Sequence, residues 1–162
     1  MKKILVLFVG FLAALAALVA VSAPASAATK LTQAQAASQL SAAGITWSSS
    51  GNCTTRSVST CTSFDQINQS TVTGAITLKR ASGCAIHITG GTEVGHASGT
   101  YSHYNGYKID ISHNSCIDAY IHNNFTRIAN RGDGYPQWQA GSGNLYCDEG
   151  SHWDITFLNC GC

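Results

Sequence analysis

Residues 107–112 read YKIDIS and residues 152–158 read HWDITFL. Each stretch alternates apolar with polar side chains, which is the period-two pattern of a half-buried β-strand. The apolar set is Tyr107, Ile109 and Ile111 in the first strand and Trp153, Ile155 and Phe157 in the second. The polar faces carry Asp110 and His152, so these two side chains share a face if the strands share a sheet.

The remaining elements surround these two strands. Apolar residues at helical spacing predict helices over residues 31–44 and 116–129. Residues 74–79 and 84–89 both alternate and predict a strand hairpin, whereas the Ser/Thr-rich segment 47–62 and the Gly-rich segment 130–144 predict loops. The fold class predicted is therefore α+β, a small antiparallel sheet with flanking helices.

The first 27 residues have the features of an export signal. Lys2 and Lys3 precede an apolar run over residues 4–21, and Ala25-Ser26-Ala27 supplies a small-residue cleavage site. We expect residues 1–27 to be removed, leaving residues 28–162 as one secreted, monomeric domain with no membrane span.

The charge balance argues against nucleic acid as a partner. The full chain has 9 Lys and Arg against 8 Asp and Glu, and removal of Lys2 and Lys3 leaves seven basic side chains, a net charge of −1. A nucleic-acid binder carries a basic patch that neutralises phosphates. No such excess exists in this sequence.

All 7 cysteines lie beyond the predicted cleavage site. In an exported chain the default expectation for them is disulfide bonding. Cys53 and Cys61 are the most plausible local pair, since a bridge between them closes the loop that they flank. The other pairings stay open, and with an odd count one cysteine is unpaired or bridges to another molecule.

Two short sequence segments contain the side chains that a hydrolytic metal site requires. Three protein ligands that leave one position for water are typical of catalytic zinc, and His103, Asp110 and His152 meet that count. Glu149 lies three residues before His152, where a carboxylate could move protons to and from water. Taken singly, each histidine is more often a surface or hydrogen-bonded side chain than a ligand.

Other residues compete for a place in the site. His87 lies on the polar face of its predicted strand and His96 in a Gly-rich loop, so either could line the same site, whereas His113 and His122 are expected at the surface. The pair Gly90-Gly91 suggests that another group approaches the backbone closely there.

The paired motifs resemble a known family. The run GTYSH at residues 99–103, followed by Gly106 and Asp110, and then the run EGSHWD at residues 149–154, resembles the zinc D-alanyl-D-alanine carboxypeptidases, whose fold is shared with the hedgehog signalling domain. The resemblance spans residues 86–157. It implies zinc bound by His103, Asp110 and His152, Glu149 as general base, and peptidoglycan peptides as substrate.

The sequence differs from that family at one position, so functions other than catalysis are also considered. Active members carry an arginine in an S-G-x-R segment, whereas residues 88–93 read ITGGTE. Arg127, Arg131 or backbone N–H groups near Gly90 and Gly91 could stabilise the charge instead. The alternatives are a non-catalytic, zinc-containing cell-wall-binding module of the same fold, and a disulfide-stabilised secreted domain without metal.

Overall fold

The computed structural model describes residues 28–161, so the predicted signal peptide over residues 1–27 lies outside the described residues. The described part contains three helices, namely α1 (Gln33–Ala42), α2 (Gln69–Ser82) and α3 (Ser115–Asn124). Its nine strands are β1 (Lys30–Leu31), β2 (Thr46–Trp47), β3 (Ile67–Asn68), β4 (His87–Gly90), β5 (Lys108–Ser112), β6 (Thr126–Ile128), β7 (Gln137–Gln139), β8 (Leu145–Asp148) and β9 (His152–Thr156).

The strands form two sheets, and the α+β class is confirmed. β1 and β3 make a two-stranded antiparallel sheet, and the other seven strands follow the order β2-β4-β5-β9-β8-β7-β6. All neighbours in the larger sheet are antiparallel except β2 and β4, which are parallel. The prediction of a single small antiparallel sheet is therefore corrected, since the main sheet is larger and mixed.

The two strands predicted from alternation lie side by side in the middle of the larger sheet. β5 pairs antiparallel with β9, with Ile109 opposite Ile155, Asp110 opposite Asp154 and Ser112 opposite His152. The apolar faces pack into the core, where Ile111 and Trp153 are fully buried. The prediction that Asp110 and His152 share a face of one sheet is confirmed.

Helix α1 follows the prediction. Thr32 accepts a hydrogen bond from the Gln35 backbone N–H, and the Gln35 side chain accepts one from the Thr32 N–H, which together form a capping box. After the helix, Gly44 has a φ of +70°, a conformation that favours glycine.

The predicted hairpin over residues 74–79 and 84–89 is wrong. Residues 69–82 form α2, and only His87–Gly90 forms a strand, β4. α2 buries Val72, Ala75 and Leu78, which are three residues apart and lie along one helical face. Gly74 packs so closely on the ring of Phe157 that a Cβ there would lie 2.2 Å from a ring carbon.

The predicted helix over residues 116–129 is partly correct. α3 begins after Asn114, whose side chain accepts hydrogen bonds from the backbone N–H groups of Cys116 and Ile117, but the helix ends at Asn124. Thr126–Ile128 then forms β6, which pairs with β7 inside the segment predicted to be a loop. Of the loop predicted over residues 47–62, residues 48–62 contain neither helix nor strand, whereas Trp47 ends β2.

The disulfide prediction for Cys53 and Cys61 is confirmed. A second bridge joins Cys84 to Cys116 and so links the end of α2 to the start of α3. Cys160 is also disulfide-bonded, and Cys147 has a free, buried thiol whose pKa burial raises to about 11. Over residues 28–161, we find no helix of the length and apolarity that crossing a membrane requires.

The two bridges close loops of different length. The bonded cysteines are 8 positions apart in Cys53–Cys61 and 32 positions apart in Cys84–Cys116. Because a longer closed loop removes more entropy from the unfolded chain, the variant Cys84→Ser/Cys116→Ser should lose about 4 kcal/mol of unfolding free energy. The matched variant Cys53→Ser/Cys61→Ser should lose about 2.5 kcal/mol. Urea unfolding of both variants measures the difference, and the reverse order would contradict the entropic explanation.

Candidate metal centre

Asp110 is the centre of a cluster of imidazoles. Its Oδ1 lies 3.2 Å from His103 Nε2 and 3.6 Å from His152 Nε2, and its Oδ2 lies 3.7 Å from His96 Nδ1. Asp110 is only 5% exposed, and Oδ1 makes no hydrogen bond of acceptable geometry. A buried carboxylate oxygen without a partner is costly, and a cation bound there would compensate it.

The sheet and one close backbone contact position Asp110. The strand β5 carries it, and the neighbouring strand β4 brings Gly90 beside it, where a Cβ would lie 2.3 Å from Asp110 Oδ2. At Gly91 a Cβ would lie 2.0 Å from the carbonyl oxygen of Ser63. The predicted close approach at this glycine pair is therefore confirmed, and one of the groups that approaches is the carboxylate at the centre of the cluster.

His103 is oriented by the backbone of Gly91. Its Nδ1 lies 2.8 Å from the Gly91 carbonyl oxygen, and because a carbonyl only accepts, Nδ1 carries the proton. The other ring nitrogen, Nε2, faces Asp110, and its lone pair becomes available to a metal ion when the ring is neutral. This arrangement, with one ring nitrogen bound to a backbone carbonyl and the other directed at the site, is common among metal-binding histidines.

His96 reaches the same place from the loop before His103. Its ring stacks on that of His103 with 3.8 Å between centroids, and its Nε2 lies 3.1 Å from Glu93 Oε1. The buried Glu93 carboxylate also accepts hydrogen bonds from the N–H groups of Ser63 and Gly91. His96, His103 and Asp110 offer ligand atoms that all lie within 4.8 Å of one another, so this cluster could hold a metal ion.

The other two predicted site residues lie beside this cluster. His152 begins β9, and its Nε2 lies between Asp110 Oδ1 and Glu149 Oε2, which is 3.1 Å away. Glu149 lies in the turn between β8 and β9, and its Oε1 accepts a hydrogen bond from Arg131. All four predicted residues, His103, Asp110, Glu149 and His152, thus line one cavity of about 600 Å³.

Lys108 and Asp154 also line the cavity, although the sequence patterns gave them no role, and so does Arg131, which the sequence analysis offered for charge stabilisation. Asp154 lies opposite Asp110 in the sheet, and its Oδ2 accepts hydrogen bonds from Lys108 Nζ at 2.7 Å and Arg131 Nη1 at 2.8 Å. Period two already places Lys108 and Asp154 on the polar face of their strands. Arg131 comes from the loop between β6 and β7, and no local pattern predicts where that loop lies.

Burial and charge act against each other in this cluster. Burial favours a higher pKa for Asp110, but the three facing imidazoles, led by that of His103, hold its pKa below the usual value. Burial likewise favours a lower pKa for His103, yet Asp110 and then Asp154 raise it. In the metal-free protein the two groups therefore favour a charged pair, and a metal ion must displace the proton on His103.

The remaining histidines lie outside the cavity. His87, predicted as a candidate for the same site, instead contacts the hydroxyls of Thr46 and Ser48 near the edge of the sheet. His113 lies between Asp118 and Asp148 and is half-buried rather than at the surface, because its ring packs against Trp153. His122 is exposed, as predicted, and packs on Trp138.

Comparisons of the chain with protein-family models, with curated proteins and with solved structures give no match.

The substitution Gly90→Ala tests whether the cluster binds metal through Asp110. The added methyl group would displace the Asp110 carboxylate. The affinity for Zn²⁺ should therefore fall at least about tenfold, as it does when a residue that orients a metal ligand is replaced. Titration calorimetry measures the change.

Gly132→Ala is the matched control, since Gly132 lines the same cavity and an added Cβ would meet nothing within 4 Å. Equal affinities for Gly90→Ala and the unchanged protein would remove Asp110 from the set of metal ligands.

Proposed function

We propose that this chain is a secreted zinc metallopeptidase of the hedgehog/DD-peptidase fold that hydrolyses peptidoglycan peptides, at a D-Ala-containing stem peptide or cross-link. The observation that carries the proposal is the buried Asp110 Oδ1, which has no hydrogen-bond partner and lies between the Nε2 atoms of His103 and His152. The family and the substrate class are suggested by the resemblance in the order and spacing of the two sequence motifs.

The donor set suits zinc. Imidazole nitrogens and a carboxylate oxygen are its usual ligands in hydrolytic sites, with bonds of about 2 Å. Two ligands of a tetrahedral ion with such bonds lie about 3.3 Å apart, and Asp110 Oδ1 lies 3.2 Å and 3.6 Å from the two imidazoles. Among the described residues, His96, His103 and Asp110 form the group whose ligand atoms all lie within 4.8 Å of one another, so the His152 imidazole would have to move toward the ion. His103, Asp110 and His152 are the proposed ligands, and His96 lies close enough to replace His152.

Zinc bound there would act as a Lewis acid and lower the pKa of a water molecule to about 7. Glu149, beside His152 at the edge of the cavity, would accept the proton from the attacking water and deliver it to the leaving amine. Arg131 would stabilise the negative charge that develops on the carbonyl oxygen. It lines the cavity, whereas Arg127 stacks on Trp138.

One observation favours the non-catalytic alternative, a zinc-containing module that only binds cell-wall peptides. Both carboxylate oxygens of Glu149 are engaged, one by Arg131 and the other by His152. A general base needs a free oxygen directed at water. Turnover by this protein therefore requires that Arg131 or His152 release Glu149 when substrate and metal bind.

The substitution Glu149→Gln separates the two functions. It removes the base but keeps the size of the side chain, so amine release from D-Ala-containing peptidoglycan fragments should fall about 10²- to 10⁴-fold. Elemental mass spectrometry should still find about one zinc per chain, and His103→Ala should lose that zinc.

Asp148→Asn is the control, because Asp148 is the adjacent carboxylate and contacts His113 outside the cavity. Zinc binding with no amine release by the unchanged protein would favour the binding module. No zinc at all would favour the disulfide-stabilised domain without metal.

The two candidate arginines can be distinguished in the same assay. Arg131→Gln should lower kcat about 10²- to 10³-fold, the usual cost of losing a group that stabilises the transition-state charge. Arg127→Gln should leave kcat within about twofold, since the Arg127 guanidinium contacts Trp138 and backbone carbonyls. Equal rates for the two variants would assign the charge stabilisation to backbone N–H groups.

A further inference from the structure

Asp154 is a second carboxylate at the centre of the site, and neither sequence motif assigns it a role. It lies directly opposite Asp110 across the β5–β9 pair and is only 6% exposed. Like charges at opposite positions of neighbouring strands repel each other. Two buried carboxylates in this arrangement require positive charge between or beside them.

The two oxygens of Asp154 have different surroundings. Oδ2 is held by Lys108 and Arg131, which neutralise the outer side of the carboxylate. Oδ1 is inaccessible, has no hydrogen-bond partner, and lies 3.8 Å from His103 Nε2. Lys108 and Arg131 therefore hold the Asp154 carboxylate through Oδ2, and Oδ1 faces the His103 imidazole.

Few buried side-chain atoms in the described residues lack a hydrogen-bond partner. In the part of the chain that the structure describes, the buried side-chain atoms without a hydrogen-bond partner include two carboxylate oxygens, Asp110 Oδ1 and Asp154 Oδ1. Both are directed at the same nitrogen of His103, from 3.2 Å and 3.8 Å. One cation would recover the lost solvation of both oxygens if the Asp154 carboxylate moved toward it, because among the described residues His96, His103 and Asp110 are the group whose ligand atoms already lie within 4.8 Å of one another.

We infer that Asp154 is an additional oxygen ligand of the metal, through Oδ1. The inference rests on the proposed zinc site and adds a carboxylate to it, so that two carboxylates balance a divalent ion. Zinc can expand to five ligands, and a position for water remains beside four protein ligands. Lys108 and Arg131 then serve to hold the Asp154 carboxylate in the orientation that presents Oδ1.

Zinc affinity tests this role without recourse to activity. In competition with a chromophoric chelator, Asp154→Asn should bind Zn²⁺ at least about tenfold more weakly than the unchanged protein. The matched control is Asp133→Asn, since Asp133 lines the same cavity and contacts Arg131 but has a side chain 49% exposed. Its affinity should stay within about twofold.

The visible spectrum of the Co²⁺-loaded protein distinguishes a ligand from a nearby charge. Loss of a coordinating oxygen changes the ligand field, so Asp154→Asn should shift the cobalt absorption bands, and Asp133→Asn should not. Asp154→Glu keeps the charge that Lys108 and Arg131 neutralise but moves the oxygen by one methylene group. It should also shift the bands, and it serves as the second variant if Asp154→Asn does not fold.

The outcomes separate this inference from the proposed function. Unchanged affinity and spectrum in the Asp154 variants, with metal binding abolished by Asp110→Asn, would overturn the role of Asp154 and leave the zinc site intact. Failure of the unchanged protein to bind either ion would overturn the zinc site and the inference with it.

Discussion

The register between β5 and β9 is the constraint on which both the core and the site depend. Ile109 opposite Ile155 and Asp110 opposite Asp154 belong to the same strand pair. A shift of one residue would turn every side chain of one strand to the other face. Asp110 would then enter the core and an isoleucine the cavity. Burial of the isoleucines and Trp153 therefore holds the carboxylates in place, and the site is a consequence of core packing.

Loops carry the other side chains of the site to the polar face of β5 and β9, and hydrogen bonds connect these loop residues. The Gly91 backbone accepts a hydrogen bond from His103 and donates one to Glu93, which in turn holds His96. A single peptide segment thus orients two imidazoles. On the opposite side, Arg131 connects the β6–β7 loop to Glu149 and to Asp154. Lys108 and Arg131 contact Asp154 Oδ2, whereas the Oδ1 atoms of Asp110 and Asp154 lie near the His103 imidazole.

Much of the fold could be predicted because burial imposes a period on the sequence. Period two located β5 and β9, and helical spacing located α1 and the start of α3. The error at α2 has a physical cause, since a six-residue alternation such as residues 74–79 fits a helix as well as a strand. The side chains that decide between them belong to other elements. Phe157, which packs on Gly74, is 83 positions further along the chain.

For the site, the sequence by itself determined which groups are available and the strand face on which Asp110 and His152 meet. It also indicated, through two adjacent glycines, that something approaches the backbone near residue 90. Only the tertiary structure decided that Asp110 makes this approach, that His96 joins the cluster while His87 does not, and that Arg131 rather than Arg127 lines the cavity. Periodicity reports the face of a regular element, whereas the position of a loop depends on contacts between residues far apart in the chain.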